Sequence, residues 1–208
     1  MHNEKRYTLF AGVNGAGKST FFKSLSLAST SVDLGVRVNT DEIVREQLGG
    51  DWKDKKAQMM AGRIAIKTIK NCLNNGLSLN QETTLSGRTI ITTIKNAKAN
   101  GFSIELYYVG LESAQLSIDR VASRVLKGGH GIPEEDILRR YDKSFEHLKI
   151  ILPLCDKVLV YDNSKEGSFD NSKPLLMVKD GIIRFWDENC PQYMKTALEN
   201  YITDLQAR

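Results

Sequence analysis

The stretch Gly12-Val13-Asn14-Gly15-Ala16-Gly17-Lys18-Ser19 decides how this chain folds. It fills every position of the pattern G-x-x-x-x-G-K-[ST], a glycine-rich loop whose backbone N–H groups surround phosphate oxygens. The preceding residues 7–11 are apolar and β-prone, which predicts a strand. Residues 20–25, after the loop, are predicted to form the first turns of a helix. The helix start adds unpaired N–H groups and a positive dipole end. The stretch therefore predicts a strand, a phosphate-binding P-loop and a helix.

The residues of this loop have separate expected roles in holding a triphosphate. The glycines allow the backbone to approach the phosphates closely. Lys18 is expected to reach the β- and γ-phosphates, and the Ser19 hydroxyl is expected to bind Mg²⁺. The alternative is a glycine-rich turn that binds no ligand. The predicted nucleotide-binding residues of the loop are Gly12, Asn14, Gly15, Ala16, Gly17, Lys18, Ser19 and Thr20.

Length, composition and charge limit the classes of protein to which this chain can belong. The chain has 208 residues, 41% of them hydrophobic and 26% charged, which predicts one globular domain over 1–208. Its net charge of +4 suits a phosphate-binding enzyme but is too weak and dispersed to indicate a nucleic-acid partner. The three cysteines are far apart, which favours a reduced, intracellular protein. Because we find no signal peptide and no apolar run of membrane length, we expect a cytoplasmic protein without a membrane partner.

Predicted strands and helices alternate after the P-loop. This alternation favours an α/β fold of the P-loop NTPase/kinase type, with a parallel sheet of about five strands and helices on both faces. The further predicted strands are 36–39, 77–81, 102–109 and 157–161. The predicted helices are 41–48, 53–72, 88–100, 113–127 and 133–152.

The C-terminal part, about 172–208, has a different pattern. Asp180-Gly181 lies between the β-prone segments 175–179 and 182–186, which predicts a β-hairpin. An amphipathic helix over about 192–205 follows. We expect this hairpin and helix to form an appendage packed beside the nucleotide-binding sheet. Trp52 and Trp186 are interpreted as packing residues.

Two acidic residues follow predicted strands, where ligands bind in parallel α/β sheets. Asp41 is a candidate general base that deprotonates a hydroxyl attacking a γ-phosphate. The alternative is that Asp41 or Thr40 caps the next helix. Glu82 is a candidate to hold Mg²⁺ through water or to accept a hydrogen bond from substrate, and its alternative is a solvated loop acid.

Polar residues after the third and fifth strands are candidate contacts. Arg88 is predicted at a helix start, an unfavourable place for a cation unless an anion binds there, so we expect it to hold a substrate phosphate. Thr83 is a candidate substrate contact or a turn-forming residue. Residues 162–164 are typical of an Asx turn, and Asn163 is expected to lie near the adenine.

A basic segment over 120–140 surrounds a glycine-rich stretch. Its cations are Arg120, Arg124, Lys127, Arg139 and Arg140, on either side of Gly128-Gly129-His130-Gly131. This pattern predicts a mobile lid whose arginines, Arg120 and Arg124 above all, stabilise transition-state charge. The alternative is a solvated charged helix that ends at Gly128. His130 is either a turn residue or a lid contact.

These motifs in this order resemble the zeta-toxin family of P-loop kinases over about residues 6–164. The resemblance implies ATP and Mg²⁺ as cofactors and phosphorylation of the 3′-hydroxyl of the sugar in UDP-N-acetylglucosamine. It also implies Asp41 as the base, Glu82 and Arg88 as sugar-nucleotide contacts, and Arg120 and Arg124 as γ-phosphate clamps. An antitoxin protein that blocks the nucleotide site would be a further partner.

The sequence thus favours an ATP-dependent kinase that phosphorylates a hydroxyl of a small metabolite. Positioning and charge neutralisation do most of this chemistry, so no serine or cysteine nucleophile is required. The main alternative is an ATP-binding switch or slow ATPase that regulates a protein partner. A nucleic-acid end kinase is less favoured, because the basic residues lie mainly in the predicted lid.

Overall fold

The structure, a computed structural model, describes residues 4–28, 33–51, 53–165 and 173–207. Its strands are β1 Arg6–Gly12, β2 Val36–Val38, β3 Leu79–Thr83, β4 Ser103–Gly110, β5 Lys157–Asp162, β6 Leu176–Lys179 and β7 Ile182–Trp186. Its helices are α1 Lys18–Ala28, α2 Thr40–Glu42, α3 Lys55–Asn75, α4 Ile90–Ala99, α5 Ala114–Leu126, α6 Glu134–Ile151 and α7 Gln192–Gln206. A π-helical turn, Ile43–Gln47, continues α2, and a 3₁₀ turn, Leu152–Leu154, follows α6.

All strands belong to one sheet, in the order β2-β3-β1-β4-β5-β6-β7. The first five strands in that order run parallel, which confirms the predicted α/β class. The central strand β1 pairs with β3 and β4, and Phe10 lies level with Glu82 on one side and Tyr107 on the other. This register brings the end of β3 beside the beginning of the glycine loop.

The predicted hairpin is confirmed, but it does not pack beside the sheet as an appendage. Strand β6 pairs antiparallel with β5, with Val160 opposite Leu176, so the hairpin extends the same sheet. Asp180 (φ +53°) and Gly181 (φ +73°) both adopt left-handed conformations, as a tight hairpin turn requires. The edge of β5 would otherwise expose unpaired N–H and C=O groups, and β6 satisfies them.

The hydrophobic core lies on both faces of the sheet. Helix α7 buries one face into it, including Met194 and Leu198. Trp186 packs against the core, while Trp52 lies outside the described residues. The three cysteines, all in described ranges, are buried and unpaired. Within those same ranges, no helix is long and apolar enough to cross a bilayer.

Two helix starts bear on the predicted site. Helix α4 begins at Ile90, so Arg88 lies in the preceding turn, where the Ile90 N–H donates to the Gly87 carbonyl (3.4 Å). Arg88 thus lies just before the helix rather than in its first turn, still at the positive end of the helix dipole. At α2 neither Thr40 nor Asp41 is the cap: the Asn39 side chain accepts from the Asp41 N–H at 2.9 Å. Because Asn39 caps this helix, the Asp41 carboxylate is not needed as a cap.

Candidate active site

The glycine loop between β1 and α1 uses its glycines for two different purposes. Gly15 (φ +71°) and Gly17 (φ +89°) have left-handed backbones that favour glycine. Gly12 (φ +140°) lies against β4, where an added Cβ would come within 2.0 Å of the Val109 carbonyl oxygen. Gly12 is therefore required by packing of the sheet, and Gly15 and Gly17 shape the loop itself.

Lys18 projects from the first turn of α1 into the loop. The residue is only 9% exposed, and its Nζ donates to the Val13 carbonyl at 3.0 Å. Burial lowers the pKa of this ammonium, and the nearby Glu82 and Asp41 carboxylates partly oppose that shift. A buried cation with one neutral acceptor is a costly arrangement, so an anionic ligand at this point would be favoured.

Glu82 lies beside Ser19, at the end of β3. Its Oε1 accepts from the Ser19 Oγ at 2.6 Å. Its Oε2 accepts from the Arg37 Nη2 at 2.7 Å and from the Asn39 Nδ2 at 2.9 Å. The sequence reasoning missed Arg37 and the amide contact of Asn39. The adjacency of the strand ends could have indicated both, because β2 is the neighbour of β3.

Asp41 faces the cavity from α2, where its side chain is 47% exposed. Its Oδ1 lies 3.5 Å from the Nε2 of His130, the residue in the glycine stretch after α5. The Nε2 of His130 also lies 3.4 Å from the Gln58 Nε2. Burial lowers the pKa of His130, Asp41 opposes the shift, and Arg124 adds to it. The imidazole is therefore neutral near pH 7, and His130 contacts Asp41 rather than serving only as a turn residue.

The cations of the predicted lid differ in their surroundings. The Nε and Nη2 of Arg124 are buried and have no hydrogen-bond partner in the described part of the chain. The Nη2 of Arg120 donates to the Ser164 carbonyl at 3.2 Å. Arg139 and Arg140 both pair with Asp136, at 2.6 Å and 3.6 Å. Arg124 is therefore the cation in this group that most needs an anion.

Lys127 differs from these arginines because it lies outside the cavity wall. Helix α5 itself is fastened to the glycine loop at its N-terminal half. The Ser117 Oγ donates to the Asn14 carbonyl at 2.7 Å, and Ser117 is fully buried. Any lid motion would have to begin beyond this attachment. The mobility of 120–140 stays a prediction.

A cavity of about 650 Å³ joins these groups. Its wall contains these predicted site residues: Asn14, Gly15, Gly17, Lys18, Ser19, Thr20, Asp41, Glu82, Thr83, Arg88, Arg120 and Arg124. It also contains Arg139 and Arg140, two cations of the predicted lid. The wall residues that we did not predict as contacts are Asn39, Thr40, Gln81, Thr84, Ser86, Gly87 and Ile132. The described structure thus assembles acid, hydroxyl and cationic groups from the ends of three strands, β1, β2 and β3, and from the α5–α6 segment.

Three predicted nucleotide-binding residues lie outside this wall. Gly12 packs on β4, and Ala16 is fully buried in the core. The Asn163 Nδ2 donates to the Ala16 carbonyl at 3.0 Å, so Asn163 contacts the loop backbone. The predicted Asx turn is confirmed, since the Ser164 N–H donates to the Asp162 Oδ1 at 3.0 Å. Thr83 lines the cavity and also forms a turn, because its Oγ1 accepts from the Leu85 N–H at 3.0 Å.

Comparison with known proteins gives consistent matches. The family model "Zeta toxin" matches residues 2–189. An uncharacterized protein of Haemophilus influenzae is 32% identical over 139 residues, which are 66% of this chain and 94% of that protein.

Two solved structures resemble the whole fold. A chain of the PezAT chromosomal toxin–antitoxin system of Streptococcus pneumoniae has a TM-score of 0.60 at 14% identity, over 98% of this chain and 87% of that one. A chain of the AvrRxo1-ORF1:-ORF2 structure with ATP has a TM-score of 0.66 at 16% identity, over 94% of this chain and 64% of that one. At these identities the two structures support the fold. The family match spans most of the chain and agrees with the glycine loop: the chain belongs to the zeta-toxin family of P-loop kinases.

Proposed function

We propose that this protein is an ATP-dependent kinase that transfers the γ-phosphate to a hydroxyl of a small molecule. One observation carries the proposal: a single cavity wall combines Lys18, the Asp41 carboxylate and Arg124, whose Nε and Nη2 have no hydrogen-bond partner among the described residues. Phosphoryl transfer needs cations on the phosphate oxygens and an acceptor for the attacking hydroxyl's proton.

The phosphate side of the cavity would neutralise charge. Lys18 would exchange its weak contact to the Val13 carbonyl for β- and γ-phosphate oxygens. The free Nε and Nη2 of Arg124 would donate to the γ-phosphate, and Arg120 would support it from the next turn of α5. In a site with little water these contacts act more strongly than they would in bulk solvent.

Asp41 would act as the general base for the acceptor hydroxyl. Its carboxylate takes the proton as the acceptor oxygen forms a bond to the γ-phosphorus, and the bond between that phosphorus and the β–γ bridging oxygen breaks to leave ADP. In the tautomer that carries its proton on Nε2, the His130 imidazole, 3.5 Å away, would donate to the carboxylate and hold it in position. Arg88 would contact the acceptor. Glu82, which already accepts from Ser19 and Arg37, would either contact the acceptor as well or help to hold Mg²⁺.

Mg²⁺ fits the donors at the phosphate side. The Ser19 hydroxyl and the Glu82 carboxylate, 2.6 Å apart, are the oxygen ligands that this ion prefers. No cluster of three or more His, Cys, Asp or Glu within the described ranges could hold a metal ion by itself, as is usual where phosphates and water complete the coordination. When bound, the ion would neutralise charge on the phosphate oxygens.

We also propose a cytoplasmic location, a single domain and a lid over 120–140. The three unpaired thiols favour a reducing compartment. An antitoxin partner is proposed because the family match and the PezAT similarity both point to toxin–antitoxin systems.

A labelling experiment tests the kinase. The protein is incubated with γ-³²P-labelled ATP, Mg²⁺ and separate pools of nucleotide sugars, sugars and nucleotides. UDP-N-acetylglucosamine, the acceptor that the family resemblance implies, is tested first. Label in a small organic molecule supports the kinase. Label in inorganic phosphate alone would instead favour the slow ATPase or switch that regulates a protein partner.

A further inference from the structure

A second cavity, of about 540 Å³, lies between α3, α4 and the end of β3. Its wall shares residues with the first cavity on the acceptor side: Thr40, Gln81, Thr83, Gly87 and Arg88. Thr40 directly precedes the proposed base, Asp41. The two cavities are therefore neighbours at the place where an acceptor hydroxyl would meet the γ-phosphate.

The chemistry of the second wall differs from that of the first. Most of its surface is apolar, and the apolar residues come from both helices: Ala65, Ile66, Ile69 and Leu73 from α3 and Ile90 from α4. Ile66 is 47% exposed, although its neighbours Ala65 and Ile69 are buried. The Thr93 hydroxyl already donates to the Thr89 carbonyl at 2.9 Å, so it is engaged within the helix. A purely polar ligand would leave this apolar surface without a partner.

The charged groups of this wall have one sign. Arg88 and Lys70 line the cavity, and no Asp or Glu does so among the described residues. Arg88 is exposed and has neither a hydrogen-bond nor an ion-pair partner in the same part of the chain. Arg88 lines both cavities, so an anionic group in either cavity could bind its guanidinium.

We infer that the acceptor is an amphipathic anion. Its hydroxyl lies at Asp41 in the first cavity, its anionic group binds Arg88, and its apolar ring or chain occupies the second cavity. This inference rests on the proposed kinase function and narrows the class of its acceptor. The apolar part contributes affinity without taking part in the transfer, which helps to orient the hydroxyl.

Gly62 on α3 provides a selective way to fill the second cavity. It lines the wall, and a Cβ added there meets no atom within 4 Å. Gly62→Phe therefore places an aromatic ring toward open space, and Gly62→Ala is the matched control. The affinity for ATP, measured by calorimetry, reports whether the phosphate side is intact in each variant.

The binding test uses 1-anilinonaphthalene-8-sulfonate, an apolar ring system with one anionic group. We expect saturable fluorescence enhancement with wild type and Gly62→Ala, its loss in Gly62→Phe, and weaker binding in Arg88→Gln. ATP should not displace the dye. Equal dye binding by wild type and Gly62→Phe would overturn the inference, whether or not the protein proves to be a kinase.

The transfer test separates the two proposals. A metabolite extract is divided by reversed-phase chromatography into retained and unretained fractions, and each is incubated with γ-labelled ATP. We expect label in a retained anionic acceptor and a fall of at least about tenfold in Gly62→Phe. Transfer only to unretained acceptors, such as UDP-N-acetylglucosamine, at equal rates in both variants would overturn the inference and leave the kinase intact. Label in inorganic phosphate alone would overturn the kinase proposal as well.

Discussion

The two sides of the active cavity are built differently. On the phosphate side, Lys18 is 9% exposed and the conformation is fixed by glycine backbone and by Ser117 of α5. On the acceptor side, Asp41 is 47% exposed and Arg88 lies in an exposed turn. A triphosphate is the same ligand in every P-loop kinase and can be bound by backbone geometry. An acceptor differs between kinases, and its site depends on side chains from turns and helices.

This difference predicts that substitutions on the two sides will have different effects on ATP affinity and on turnover. Changes on the phosphate side should alter ATP affinity together with turnover. Changes on the acceptor side should lower turnover and leave ATP affinity close to wild type.

Lys18→Ala should lower phosphoryl transfer by at least about 10³-fold, because it removes the buried cation that we propose for contact with the β- and γ-phosphates. The fold should remain, since the ammonium makes one contact, to Val13, among those described. Label transfer and circular dichroism check both statements. Lys23→Ala, an exposed lysine of the same helix, should match wild type, and full activity in Lys18→Ala would contradict the role of this lysine.

Asp41→Asn should reduce turnover by about 10²- to 10⁴-fold, the usual contribution of a general base. ATP affinity should stay within about twofold of wild type, because the helix is capped by Asn39 and not by Asp41. Calorimetry and label transfer are measured on the same samples, with Asp204→Asn on α7 as the control. Loss of ATP binding together with activity would make Asp41 a metal-binding or structural residue.

Arg124→Met should change stability and activity in opposite directions. The substitution removes two buried nitrogens, Nε and Nη2, that have no hydrogen-bond partner among the described residues, and the burial of such a group costs on the order of 1–3 kcal/mol. The ligand-free protein should therefore melt at the same temperature as wild type or higher, while transfer falls by about 10²-fold or more. Thermal melts with and without ATP test this, with Arg184→Met on β7 as the control. A destabilised ligand-free variant would show that Arg124 is structural.

His130 should give the smallest effect, as a pH dependence of stability. Its pKa in the folded protein is lowered by burial, so the unfolded chain binds the proton more readily below about pH 6.5. Stability should therefore fall as the pH drops below that value. His130→Asn should flatten this acid slope in melts between about pH 5 and 7. An unchanged slope would show that the imidazole is not the group responsible.

The sequence was sufficient for the parts of the fold that local patterns encode. The glycine loop, the alternation of strands and helices and the Asp180-Gly181 turn were all predicted from adjacent residues. The sheet position of the hairpin was not, because pairing with β5 depends on which edge remains open after folding. Likewise, Val125 follows Val121 at helical spacing, which would place both on the core face, but Val125 is 37% exposed because α5 packs through Ser117 and Val121.

The site was predicted as a set of residues more readily than as a set of contacts. Strand-end positions indicated Asp41 and Glu82, but the contacts of Glu82 with Ser19 and Arg37 required the order of strands. Gly12 matches the first glycine of the loop pattern, but the structure requires glycine there because the backbone of β4 is too close for a Cβ. The second cavity depends on the spacing of α3 and α4, which residue pattern alone does not determine.

We propose above all that the loop between β1 and α1 holds a triphosphate. Calorimetric titration of the folded protein with ATP and Mg²⁺ measures this binding. We expect one saturable site, with binding strongly weakened in Lys18→Ala and preserved in Asp41→Asn. Absence of binding to adenine or guanine triphosphates at millimolar concentration would contradict it.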